Sequence, residues 1–197
     1  MLKRGFDFVS SYTGIVLSAP LFLIITLIIS TSMPGPILFR QLRVGKNGKL
    51  FRLNKFRTMR VLKEAEKGSF DAGNSSRITP LGKFLRKTKL DELPQLFNVL
   101  RGDMSIVGPR PEVKQWTEVY SEKWAIVHSV RPGITDNASI LFRNEEEILA
   151  ASSNPIETYK NEILPKKLDL YIDYVNNQSL IGDVKIILKT IYTVIAK

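Results

Sequence analysis

Cysteine does not occur among the 197 residues, which excludes disulfide bonds, thiolate nucleophiles and cysteine metal sites and fits a reducing compartment. Histidine is nearly absent too. His128 stands alone, so no histidine metal cluster can form, and a structural or surface role is expected for it. The GxxxxGK[ST] phosphate loop, the dinucleotide-binding GxGxxG and the serine elbow GxSxG are all missing. Acidic residues are outnumbered by basic ones, 19 to 29. The net charge of +10 points to polyanionic partners: nucleic acid, anionic lipid or phosphorylated substrates.

Charge is missing altogether from Phe8 to Phe39, 32 positions in a row. A helix that crosses a bilayer needs only about 20. Lys3 and Arg4 could open a signal peptide, but no small-x-small cleavage pattern follows the apolar run, so a retained membrane element is expected. Pro20 lies inside it. Proline removes a helical hydrogen bond and kinks the helix, and Ser18 is placed to satisfy a freed carbonyl. Phe8–Ala19 and Leu21–Ser32 are 12 residues each. At ~1.5 Å per residue, either arm reaches roughly one leaflet's depth. Lys3 and Arg4 flank one end, and Arg40, Arg43 and Lys46 the other, which favours both ends in the cytoplasm. A re-entrant hairpin satisfies both observations; a plain kinked span is the alternative.

The rest of the chain, 44% hydrophobic overall, is long enough for one ordinary domain. Ten Lys or Arg between Arg40 and Lys67 are expected to meet lipid headgroups, and the aromatic stretch after Asn47-Gly48 reads as a short hairpin. Glu64–Arg77 is polar and reads as a loop. Thr79-Pro80 starts a helix over Pro80–Leu90, and a second runs over Asp91–Gly102, with Leu93, Leu96, Phe97 and Leu100 toward the core. Gly108, Pro109 and Pro111 force an extended turn around Arg110. Asn154-Pro155 opens a helical stretch interrupted at Pro165. The last helix carries a stripe of Ile181, Val184, Leu188, Ile191 and Ile195 beside Lys185 and Lys189, suited to packing on the domain or lying in a membrane interface. The expected architecture is α/β and mostly helical. It is a monotopic membrane domain with a re-entrant helix–break–helix hairpin over residues 1–36, and a small β element within a cytoplasmic, membrane-associated catalytic domain over 37–197.

Asp91 and Glu92 fall at a helix start, where free N–H groups and the dipole favour anions. Acidic caps are common there; the charge around the pair sets it apart. Arg86 precedes it, and Arg101, Arg110 and Arg131 each adjoin Gly or Pro turns. Guanidinium forks suit phosphate oxygens, so a carboxylate pair among arginines near a membrane points to phosphoryl chemistry with a divalent metal such as Mg²⁺. A non-enzymatic basic membrane adaptor for anionic lipid or nucleic acid is the rival reading.

The segments KFRTM (Lys55–Met59), LDELPQLFNVLRGDMSIVGPRP (Leu90–Pro111) and RPGIT (Arg131–Thr135) closely resemble the bacterial sugar transferase family, the monotopic polyprenyl-phosphate phosphoglycosyl transferases. The resemblance covers nearly the whole chain, which looks like a minimal member holding the catalytic domain. It implies transfer of a sugar 1-phosphate from a UDP-sugar to polyprenyl phosphate at the cytoplasmic face, with UMP released. It further implies Asp91 as the nucleophile that carries the phosphosugar, Glu92 as its support, both carboxylates at Mg²⁺, and Arg86, Arg110, Lys55 and Arg131 on phosphates. No nucleic acid is expected as a partner, and a homo-oligomer is compatible with the pattern. Two departures stand out: Ser18-Ala19-Pro20 in place of the family's Ser-Pro, and Asp136-Asn137-Ala138-Ser139 where many relatives have Gly-Leu-Ala-Gln.

Overall fold

The computed structural model describes residues 2–61 and 77–195. The expected loop at Glu64–Arg77 therefore lies, apart from Arg77, outside the described residues. The chain forms two compact units. The first holds residues up to 41, then 52–61 and 77–102; the second holds 42–51 and everything from 103 onward.

Unit 1 is built on α1, a helix from Leu2 to Ser32 that runs through Pro20. The sequence leads one to expect two arms with a break; the structure gives one helix. Ser18 Oγ does bond a carbonyl, but that of Gly14 at 2.5 Å, one turn back along its own helix. The carbonyl that Pro20 leaves without its helical donor is that of Val16. Asp7, Ser11, Ile25, Ile29 and Met33 are buried along one stripe. The other faces expose Val9, Val16, Leu17, Leu23 and Leu27. A helix this apolar all round needs an apolar surrounding on both sides.

Two strands follow, β1 (Leu38–Val44) and β2 (Leu50–Phe56), paired as the expected hairpin. Asn47 and Gly48 take positive φ of 56° and 74° in its turn, backbone that Asn and Gly adopt most readily. The helix α2 spans Pro80–Lys87, and its cap is as expected: Thr79 Oγ1 accepts from Gly82 N at 3.0 Å. Gly82 is needed for close approach, since a Cβ there would lie 2.0 Å from the Thr58 carbonyl oxygen. Next comes α3, Gln95–Arg101, closed by Gly102 at φ 94°. The core of the unit joins Ile25, Ile29, Met33, Phe56 and Leu85, with Leu81, Leu90 and Leu93 packed against it.

Unit 2 begins with β3 (Ser105–Val107), which pairs in parallel with β4 (Gly133–Thr135) through Ser105–Gly133 and Val107–Thr135. Between them lie α4 (Lys114–Thr117) and α5 (Ser121–Val127). After β4 come α6 (Asn137–Leu141), α7 (Glu145–Ala151) and α8 (Pro155–Thr158). The Asn154 side chain caps α8 at the Glu157 amide. The expected interruption near Pro165 takes the form of a π-helical turn, Tyr159–Ile163, leading into α9 (Leu164–Asn176). Last is α10, Leu180–Ile195. Trp116 packs edge-on against Tyr159, their ring centroids 4.8 Å apart, and Val107, Tyr174 and Ile186 form the core beside the parallel pair.

Candidate active site

Asp91 and Glu92 occupy a 3₁₀ turn, Leu90–Glu92, that precedes α3. The expected α-helix over the pair thus begins four residues later, at Gln95. In a 3₁₀ turn residues i and i+3 eclipse. Leu90 and Leu93 both pack on the unit 1 core, so one face of the turn is anchored and the two acids project from the others, ~120° apart. Both carboxylate residues are buried, at 6% and 7% exposure. Lys89, just before them, sits at φ 59° in the left-handed region, which a side chain other than Gly or Asn adopts at a cost of about 1–2 kcal/mol. That is a local strain the sequence did not signal.

Every residue of Lys55–Met59 is used. Lys55 Nζ donates to Glu92 Oε1 at 2.9 Å. Phe56 enters the core. Arg57 donates to the carbonyls of Met33 (2.6 Å) and Pro34 (2.7 Å), just past the end of α1. Thr58 Oγ1 accepts from Arg86 Nε at 3.1 Å, and its carbonyl accepts from the Thr79 amide at 3.1 Å. Met59 bridges to Ile78. The N-terminal half of α1 is held as well. Arg4 donates to the Val99 and Leu100 carbonyls at 2.6 and 2.9 Å, placing its positive charge at the C-terminal end of α3. Buried Asn98 ties α3 to β2: its Oδ1 accepts from the Asn54 amide at 3.1 Å and its Nδ2 donates to the Arg52 carbonyl at 2.8 Å. Nothing in the local pattern marks these two asparagines in advance, because their meaning lies in a pairing 44 residues apart.

Of the expected site residues, unit 1 therefore brings together Lys55 and Glu92, with Asp91 beside them and Arg86 on the preceding helix. Arg110 and Arg131 belong to unit 2. Arg110 lies in the Gly108–Pro111 segment, whose backbone is pinned: the Gly108 amide bonds the Thr135 carbonyl at 3.1 Å, and Arg43 donates to the Pro111 carbonyl at 3.2 Å. Gly133 approaches Gly108 so closely that a Cβ would lie 2.1 Å from its nitrogen. Arg110 also lines a small cleft with Pro109, Pro132, Trp124 and His128.

A second carboxylate, Glu112, organises this unit. Burial alone would raise its pKa, but Arg43, Lys167, the Tyr159 hydroxyl and the Val113 amide outweigh it and hold the acid below the usual value. Arg43 Nη1 is 3.0 Å from Oε2, and Tyr159 donates to Oε1 at 2.7 Å. Asp136 behaves oppositely. Burial pushes its pKa up against the pull of Ser139 and Arg110, and its carboxylate caps α6 through the Ser139 amide at 2.9 Å and hydroxyl at 2.6 Å. The Asp136–Ser139 departure from the family pattern thus builds a helix start. His128 stacks on Trp124, with ring centroids 5.2 Å apart, and burial lowers its pKa.

No group of three or more His, Asp or Glu suited to a metal occurs among the described residues. The donors at Asp91–Glu92 are of the kind Mg²⁺ takes when one or two carboxylates share it with substrate phosphates.

The profile of the bacterial sugar transferase family matches residues 1–197. The chain is 37% identical to the UDP-glucose:undecaprenyl-phosphate glucose-1-phosphate transferase of Escherichia coli (strain K12), over 98% of this chain and 40% of that one. It is 37% identical to a Caulobacter vibrioides protein of the same name, over 96% and 68%. It is 36% identical to the exopolysaccharide production protein ExoY of Rhizobium meliloti, over 97% and 84%. The chain spans about two fifths of the length of the first of these, 40%.

Proposed function

The chain belongs to the bacterial sugar transferase family, and on that premise we propose that it moves a sugar 1-phosphate from a UDP-sugar to polyprenyl phosphate and releases UMP. The observation that carries this reading is the buried Asp91–Glu92 turn, with Lys55 on Glu92, inside a match that covers 98% of the chain. The basic-adaptor reading accounts for the charge but not for relatives named as transferases.

The reaction divides into two displacements. In the first, an Asp91 carboxylate oxygen attacks the phosphorus that bears the sugar. The bond to the bridging oxygen breaks, and UMP leaves with that oxygen. In the second, a polyprenyl phosphate oxygen attacks the same phosphorus and frees the carboxylate. Glu92, held by Lys55, supports Asp91. Arg86, Arg110 and Arg131 bind phosphate oxygens, Arg86 oriented by Thr58 and Arg110 by its pinned backbone. Mg²⁺, held by Asp91 and Glu92, would neutralise diphosphate charge when bound.

Membrane association follows from α1, long and apolar enough to cross a bilayer. We place both its ends, and residues 37–197, on the cytoplasmic side. Support comes from the two arginines that tie it down: Arg4 to the end of α3 and Arg57 to Met33 and Pro34. Asn98 joins α3 to β2, so a spanning α1 would draw that buried polar pair and the exposed Arg52 and Arg101 toward hydrocarbon. A re-entrant course avoids this. Release of UMP on mixing the purified chain with UDP-sugars and undecaprenyl phosphate tests the activity. Repeated turnover that needs both substrates is the expected result, with at most one equivalent of UMP per chain from the donor alone; no release across a broad UDP-sugar set overturns it.

A further inference from the structure

The helix α10 is apolar on two sides: Ile186 and Ile187 pack into the core of unit 2, yet a second apolar stripe faces outward. Asp183, at 0% exposure, points into unit 2 and accepts from the Tyr174 hydroxyl at 2.9 Å. Thr190 also points inward, its hydroxyl 2.6 Å from that of Thr135. The outward side is aliphatic and aromatic: Ile181 is 73% exposed, Val184 43%, Leu188 61%, Ile191 49% and Tyr192 73%. Ile195, the last of the expected stripe, is described for its backbone alone. A helix facing water would put these residues inside and the aspartate outside. The two inward polar bonds fix the opposite rotation, so the surrounding on the outer side must be apolar.

We propose that the outer face of α10 lies in the headgroup–acyl boundary of an anionic bilayer, a membrane contact of unit 2 in addition to α1. Three features name the occupant. The stripe spans about 100° of the helix, the width of an apolar face that sinks shallowly into lipid rather than crossing it. Exposed Lys185 and Lys189, four residues apart, border the stripe on one side, where lipid phosphates would meet them. Tyr192 supplies the aromatic ring with a polar tip that favours the same depth. The net charge of +10 suits an anionic surface as a whole.

The inference rests on the membrane reading of α1, and the test separates the two. The absence of cysteine allows single labels without background. An environment-sensitive fluorophore is attached to Leu188→Cys on α10, to Leu17→Cys on exposed α1, and to Gln115→Cys on the exposed polar surface of α4. Each full-length protein is placed in nanodiscs containing phosphatidylglycerol. The expected result is severalfold stronger quenching by brominated lipid at 188 than at 115, with the reverse order for aqueous iodide. Exchanging Lys185 and Lys189 for Gln, or the discs for pure phosphatidylcholine, should weaken lipid quenching at 188 and leave 17 unchanged. Lipid quenching at 17 with iodide access at 188 equal to that at 115 overturns the inference and leaves the membrane reading standing. Absence at both removes the two together. Shielding of 188 from iodide without lipid quenching would assign the face to a second copy of the chain, and also overturns it.

Discussion

Each unit holds a glutamate against a cation in nearly the same geometry. Lys55–Glu92 in unit 1 is 2.9 Å and Arg43–Glu112 in unit 2 is 3.0 Å, with the cation 21% and the acid 9% exposed in both. What differs is the kind of cation and what the pair holds. Lysine is a point charge on a flexible stem, whereas arginine offers a planar fork that fixes several acceptors at once. Arg43 holds the Pro111 carbonyl along with Glu112, and Glu112 also takes the Tyr159 hydroxyl and the Val113 amide. That pair is scaffold. Lys55–Glu92 is attached to a three-residue turn beside Asp91 and fits machinery that must respond to substrate. Distance and burial are alike in the two pairs; their surroundings differ, and on that difference rests the proposed division of roles.

Substitutions should make the distinction plain. Asp91→Asn is expected to cost about 10³-fold or more in turnover, since in the proposed mechanism both half-reactions pass through that oxygen, while the thermal midpoint stays near that of the parent. Glu112→Leu should do the opposite in kind. It strands Arg43 and should cost about 3 kcal/mol of stability, read by denaturant unfolding in detergent. Glu92→Gln, with turnover lost and stability kept, would sharpen the contrast; equal destabilisation by both glutamate substitutions would erase it.

Smaller effects follow. Arg86→Lys and Arg110→Lys should each lower kcat/KM by about tenfold, because lysine keeps charge but loses the fork. Parental kinetics in both would remove them from phosphate binding. Thr79→Ala deletes a cap in unit 1 and should cost about 1 kcal/mol. The smallest effect is acid lability in unit 2. The folded pKa of His128 is lowered by burial, so the neutral form is favoured. Its contribution is complete above the unfolded value of 6.5 and declines as pH falls through and below it. Glu112, also lowered, adds a second loss at more acid pH, below its ordinary value of 4.5. His128→Gln should flatten the upper window alone in a pH series of melting curves.

Local signals in the sequence placed much of this fold. The Thr79 cap, the Gly102 stop, the Asn47-Gly48 turn and the Asn154 cap are set by neighbours within a few residues, and each appears where its chemistry puts it. The acid pair was legible as a pair, though the 3₁₀ geometry was not. Leu90 and Leu93 anchor it on a core that includes Ile25, Ile29, Met33 and Phe56, residues remote in sequence. The Arg43–Glu112–Tyr159 cluster was invisible for the same reason, joining three segments through contacts up to 69 residues apart. The stripe on α10 was legible, but its outward direction was not, because Tyr174 and Thr135 fix the rotation.

Mass spectrometry of the chain incubated with the UDP-sugar alone, without the lipid acceptor, bears most directly on the aspartyl mechanism. A peptide containing Leu90–Glu92 should gain the mass of the sugar phosphate, with fragmentation placing it on Asp91 and the adduct lost on adding polyprenyl phosphate. An adduct on Glu92, or full UMP release by Asp91→Asn with no adduct anywhere, would contradict the account.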